Sequence, residues 1–164
     1  NDGEMQIEMS GKIKERCFWL PRFGFEFKLN AEQDAFKYYG RGPLENYRDM
    51  RQHTTTGWFE SDSHREYVPY IMPQEHGNHA NCKALYMANG LSFETDGVFE
   101  INVSDYSSKS LTDAMHIDEL EKNGVVNVRI DYKDSGVGSN SCGPQLLEKY
   151  RLNEKEIQFA FSVK

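Results

Sequence analysis

Residues 73–82 hold the densest group of side chains able to do chemistry. Glu75 follows Pro69 and Pro73 and an aromatic-aliphatic stretch. A carboxyl in an apolar pocket has a raised pKa and can act as a general acid. The plainer alternative is an ion pair to Arg41 or Arg65 that ties loops together. His76, His79 and Cys82 follow as a His-x-x-His-x-x-Cys run, a spacing that invites zinc. Zinc sites usually need a second pair of ligands. None lies near in sequence, so His53 or His64 would have to approach in space. If Cys82 opens a strand, its side chain points inward and that of His79 outward.

A second segment, residues 135–144, is small and polar, with Asn140, Ser141 and Cys142 at its tip. Its Gly-x-Gly follows a strand, but no helix pattern comes after it and there is no Lys-Ser/Thr, so a phosphate loop is excluded. Such a loop can lean over a neighbouring cleft and touch a hydroxyl-rich ligand. Cys142 has no nearby histidine to activate it as a nucleophile. A third segment, residues 40–47, combines two glycines and a proline with Arg41, Glu45 and Asn46. It reads as a sharply directed turn with polar groups to spare. Trp19, Trp58, Phe59, Tyr67 and Tyr70 are candidate stacking platforms for sugar rings, although most aromatic residues must serve the core.

The elements that position these segments are strands. Apolar residues alternate with polar ones at Met5, Ile7 and Met9, through residues 22–29, at Val126 to Tyr132, and from Ile157 to Val163. Period-two alternation marks half-buried antiparallel strands. Residues 34–39, 66–71, 82–88, 91–95 and 98–103 add further strands. Asp96-Gly97 between the last two reads as a tight hairpin turn. Residues 111–120 read as one short helix, with Ser110 as N-cap and Asp113 three positions on. The expected fold is an all-β antiparallel sandwich of roughly ten strands with one short helix.

The 164 residues suffice for one domain with a single core. A net charge of −7 argues against a nucleic-acid partner. No apolar run approaches the length of a membrane helix, so no membrane partner is expected. Three cysteines make no complete disulfide framework, which favours a reducing, cytoplasmic setting. The opening Asn1-Asp2-Gly3, without an initiator Met, reads as an excised piece of something longer or a processed product.

Read together, residues 39–49, residues 67–75 with Gly77-Asn78, and residues 136–144 resemble the C-terminal β-sandwich, or small chain, of family 2 glycoside hydrolases of the β-galactosidase type. The three stretches occur in the family's order, and residues 99–104, Tyr106 and His116 fit between them. The resemblance implies a supersandwich fold of the galactose mutarotase type, with residues 1–164 as the C-terminal part of that domain. A partial sandwich exposes edges or a face, which favours a homo-oligomer. It also implies that hydrolysis of terminal β-galactosides such as lactose is done elsewhere, by two glutamates on a catalytic barrel acting in a retaining mechanism. No catalytic residue is then expected in this chain. Its partners would be the barrel and other domains of the parent enzyme and the galactoside substrate.

In the family, one loop of this domain reaches the active site, and some members carry a Trp there. Here the loop is residues 139–143, with Cys142 nearest the Trp position and one residue fewer. Asn140, Ser141 and Cys142 are therefore the expected substrate contacts, on the aglycone side. Mg2+ and Na+ are implied for the parent's barrel and none for this segment. His76 and His79 stand where Asn and Arg are common in the family. Two alternatives remain from other classes: a free-standing galactose-binding module using Trp19 or Trp58, and a mutarotase-like aldose epimerase using His116 and Glu75.

Overall fold

The computed structural model describes residues 3–122, 124–138 and 144–164. Eight strands are seen among them: β1 (Met5–Lys12), β2 (Arg22–Asn30), β3 (Ala35–Gly42), β4 (Thr55–Asp62), β5 (Asn78–Met87), β6 (Ser92–Ser104), β7 (Val125–Asp134) and β8 (Glu156–Val163). Every pairing is antiparallel. The main path runs β1-β8-β6-β5-β3-β4, with β2 joined through β7 to β6. This is the expected all-β fold, consistent with a sandwich.

The sandwich arises because β6 serves two arms. Its first residues, Phe93 and Glu94, pair with Val163 and Ser162 of β8. Its last, Glu100 to Ser104, pair with β7. The β8-β1 and β7-β2 arms then face each other across aromatic rings. Phe25 of β2 meets Phe161 of β8 edge-on at 5.7 Å, and Phe27 lies 5.2 Å from Phe93. The alternation of residues 22–29 puts these rings on one face and Gly24, Glu26 and Lys28 on the other. Phe93, Phe99, Ile101, Val128 and Ile130 complete the buried core.

Three sequence expectations are corrected. Residues 91–95 and 98–103 are one continuous strand, not a hairpin. Ala84 faces Glu94 but Cys82 faces Phe99, so two residues of β5 span five of β6. The excess is a bulge at Asp96-Gly97, where the Gly97 N–H donates to Thr95 Oγ1 at 3.2 Å. A Gly-containing turn signal inside a strand marks a bulge as readily as a hairpin.

Residues 66–71 form no strand, because Pro69 and Pro73 interrupt the run. The helix is shorter and starts earlier: α1 (Ser108–Asp113) is capped by the Ser107 hydroxyl, which accepts from the Ser110 N–H at 3.0 Å. It stops because Ala114 turns extended, and a separate 3-10 turn follows at Ile117–Glu119. Strand β4, absent from the sequence reading, is an edge strand whose mixed composition hides its period.

Phe161 joins both arms, so its truncation is the sharpest test of this packing. Phe161→Ala is expected to lower stability by about 3–5 kcal/mol in urea unfolding. A loss under about 1 kcal/mol would contradict the two-arm core.

Candidate functional site

The strands that bury apolar side chains on one face carry a polar row on the other. Across β5, β6, β7 and β2 the register aligns Asn78, Asn102, Arg129 and Glu26. One step along, Glu100 faces Asp131, and Asp131 faces Gly24. A Cβ at Gly24 would stand 2.2 Å from Asp131 Oδ1, so only glycine lets the strands close there. Alternation alone assigns this row to solvent. Instead, the segment between β4 and β5 folds over it and buries Asn78, Glu100, Asn102, Arg129 and Asp131.

Glu75 is the centre of that cover. Arg22 Nη1 donates to it at 2.9 Å, Arg129 Nη1 at 3.1 Å, and Asn102 Nδ2 at 3.1 Å. Its partners are thus Arg22 and Arg129 rather than Arg41 or Arg65. Arg41 instead donates to the carbonyls of Arg51 and Thr54, and Arg65 pairs with Asp62 at 3.0 Å. Arg22 also holds Asp131 and lies 3.9 Å from Asp134. Burial works against the Arg22 charge, but Glu75, Asp131 and Asp134 outweigh it and keep the guanidinium firmly protonated. Two guanidiniums and an amide take up its carboxylate oxygens, so Glu75 acts as a structural hub.

The His-x-x-His-x-x-Cys run does not converge. His79 is buried, not outward. Its Nε2 lies 2.8 Å from Glu66 and its Nδ1 3.0 Å from the Tyr38 hydroxyl. His76 Nδ1 lies 2.8 Å from the Gln74 carbonyl, and Cys82 Sγ donates to the His79 carbonyl at 3.3 Å. Asn81, left-handed at φ 56°, marks the bulge that turns His79 inward. His116 is exposed and lies 3.2 Å from Glu119, while Glu75 is held by arginines, so the two groups invoked for an epimerase are engaged separately.

The three loop segments singled out from sequence do meet. Glu45 accepts from the Gly77 N–H at 2.8 Å and from the Tyr70 hydroxyl. Asn46 accepts at its side chain from the Ala80 N–H at 2.9 Å, and its carbonyl accepts from Asn78 Nδ2 at 3.0 Å. Asp49 grips the third segment: its carboxylate accepts from the Val137 N–H at 3.0 Å and the Gly138 N–H at 2.7 Å. A Cβ at Gly136 would sit 2.5 Å from Asp49 Cγ. Asp49 therefore fixes the backbone of residues 136–138. Asn140, Ser141 and Cys142 themselves lie outside the described residues.

The resemblance carried by those segments is matched by comparison with known proteins. A family model described as beta galactosidase small chain covers residues 1–163. The chain belongs to the β-galactosidase small-chain family. It is 35% identical over 163 residues to a β-galactosidase of Actinobacillus pleuropneumoniae, covering 99% of this chain and 16% of that protein. It is 38% identical over 166 residues to one from Staphylococcus xylosus, covering 99% and 17%. A Kluyveromyces lactis β-galactosidase is 34% identical over 162 residues, covering 96% and 15%. The chain thus spans about one sixth of the length of the curated relatives it matches.

Sequence reasoning missed the ionic layer of this small-chain domain. Arg22, Glu100, Arg129 and Asp131 sit at outward positions of regular alternation, which read as wet, and Asp134 ends its strand beside them. Complementary charges at facing positions on β2 and β7 were the available signal. Burial pushes Glu100 up to about 7, with Asn78 opposing and Asp131 adding to the rise. Burial likewise pushes Asp134 up to about 8, against Arg22 and reinforced by Glu75, Glu100 and Asp131.

Two outcomes follow. Glu75→Ala leaves the buried Arg129 guanidinium with Glu26 alone, at 3.3 Å, and takes a counter-ion from Arg22, and should cost on the order of 2–4 kcal/mol in chemical unfolding. A cost under about 1 kcal/mol would remove Glu75 from the hub. For Glu100 the folded state holds a proton that the unfolded chain has released. Its contribution is complete below about pH 4 and is lost as pH rises through about 7. Glu100→Gln keeps an acceptor for Asn78 without the charge. Its stability relative to the native chain should therefore rise between about pH 5 and about pH 8. A difference that stays flat across that window would contradict the raised carboxyl.

Proposed function

We propose that the chain is the β-sandwich segment of a β-galactosidase of glycoside hydrolase family 2 and does no bond cleavage by itself. The observation that carries this reading is the family match over residues 1–163 together with the convergence of its three characteristic segments on Asn46 and Asp49. In this reading a catalytic barrel elsewhere in the parent enzyme supplies two glutamates for retaining hydrolysis of terminal β-galactosides such as lactose. Mg2+ and Na+ belong to that barrel.

The role of this chain is to hold a loop. Asp49 receives two adjacent backbone N–H groups, so its carboxylate fixes the backbone of Val137 and Gly138, which immediately precede residues 139–143 in sequence. Asn140, Ser141 and Cys142 then shape the side of the cleft that receives the departing group. A thiol offers less stacking area than an indole, so contact with that group is weaker than in relatives with Trp. The polar layer keeps the loop's base rigid, because Ser135 at its start donates from Oγ to the Leu20 carbonyl at 2.7 Å and accepts from the Leu152 N–H at 2.9 Å.

The test is galactoside hydrolysis by the purified chain, alone and after addition of the rest of the enzyme. Activity is expected only in the mixture. Asp49→Ala in the mixture should lower kcat/KM by roughly tenfold, reflecting one misdirected loop, with the chain still folded. Turnover by the chain alone would overturn the accessory reading. Unchanged kinetics in Asp49→Ala would remove the loop from the site.

A further inference from the structure

We propose that the cavity between strands β5 to β7 and the segments at residues 48–51 and 149–150 binds a compact polyanion carrying carboxylate or phosphate groups. The register of β5 against β6 shifts between His79 and Cys82, at the left-handed Asn81, and the cavity opens beside that residue. Its volume is about 480 Å³, within the range of small-molecule sites. Glu100 of β6 and Lys133 of β7 line it from the sheet. Arg48 and Arg51, from the segment after β3, and Lys149 and Tyr150, from the 3-10 turn before β8, line it from the cover.

The charge of the walls selects the ligand. The chain as a whole carries 26 acidic residues against 19 basic ones. Around this cavity the balance reverses, with four cations and a single carboxyl. Of the four, only Lys133 has a carboxylate partner, Glu154. Arg48 donates to the Arg151 carbonyl at 3.2 Å, and Lys149 lies 4.7 Å over the Tyr150 ring. The Arg51 side chain makes no hydrogen bond or ion pair among the described residues. Three cations thus border the cavity without an ion-pair partner among those residues. The one carboxyl, Glu100, is buried and accepts from Asn78 Nδ2 at 2.8 Å, and burial leaves it only partly ionised at neutral pH.

The number of charges disfavours the other occupants. Two guanidiniums three positions apart in the chain offer N–H forks that match the oxygens of a carboxylate or phosphate. A single acidic side chain from a neighbouring domain would answer one of the three free cations and leave the others unpaired. A nucleic-acid backbone needs an extended basic track, and a chain of net charge −7 repels it. A neutral ligand would leave the guanidiniums as unpaired as before. A small anion with two or three charged groups meets the cations together, with Tyr132 and Tyr150 as the apolar part of the wall.

The test uses the purified 164-residue chain at constant ionic strength, titrated with citrate and with inorganic phosphate against a chloride control. Calorimetry reads the affinity, and amide shifts in NMR read the place. Saturable binding of citrate is expected, with half-saturation below about 5 mM and phosphate weaker by about threefold or more. The shifts should concentrate at residues 48–51, 81, 98–100 and 149–150. Arg51→Glu should weaken citrate by about tenfold or more and leave the fold intact, because that side chain has no partner to lose. Lys28→Glu makes the same change of charge at an exposed position of β2 and should leave binding within about twofold. No saturable binding by the native chain, shifts scattered over the surface, or equal weakening by Lys28→Glu would overturn the site. Galactoside hydrolysis in the reconstituted mixture tests the accessory role separately, and neither result decides the other.

Discussion

The fold depends on one interaction that its strands alone do not supply: a carboxylate, Glu75, held between the guanidiniums of Arg22 and Arg129. These arginines come from β2 and β7, and Asn102 of β6 joins them, so the contact closes the cover segment over three strands at once. Without a counter-ion, the Arg129 charge would sit almost wholly out of water. With it, the row Asn78-Asn102-Arg129 becomes a second interior, polar where the first is aromatic. The sheet is thereby buried on both faces along β6 and β7, and the loop segments that carry the family's signature rest on that second interior.

The two interiors do different work. The aromatic side, built on Phe25, Phe27, Phe93 and Phe161, is tolerant in detail and supplies most of the driving force through burial. The ionic side is demanding in geometry, because each group must find its partner or remain desolvated and alone. It sets where residues 66–78 lie, and through Asn46 and Asp49 it sets where residues 136–138 lie. Precision at the loop root comes from this side.

Much of this was readable in the residues. Regular alternation gave β1, β2, β7 and β8 nearly to their ends, since one apolar face against one polar face leaves few other folds. The three loop motifs pointed to the family because Gly, Pro and Asp recur at fixed places where backbone and carboxylate must meet. What could not be read was which polar faces stay dry. Arg129 and Glu26 face each other as any surface pair would, and only the path of residues 63–77 makes Arg129 interior while Glu26 stays exposed. Asp96-Gly97 misled for a related reason: a local turn signal does not say whether the chain returns or merely detours. The tip of the loop, Asn140 to Cys142, is assigned by resemblance alone.

The sharing of β6 between two arms has a bearing on how the domain comes apart. In a sandwich of two separate sheets, either can open while the other persists. Here the β8-β1 arm and the β7-β2 arm draw their hydrogen bonds from opposite ends of the same strand. Opening one arm frays the strand that supports the other, so no seam divides the domain into halves of separate stability. The amides of β6 are thus the natural candidates for exchange only through global unfolding, and the molecule behaves as a single cooperative unit.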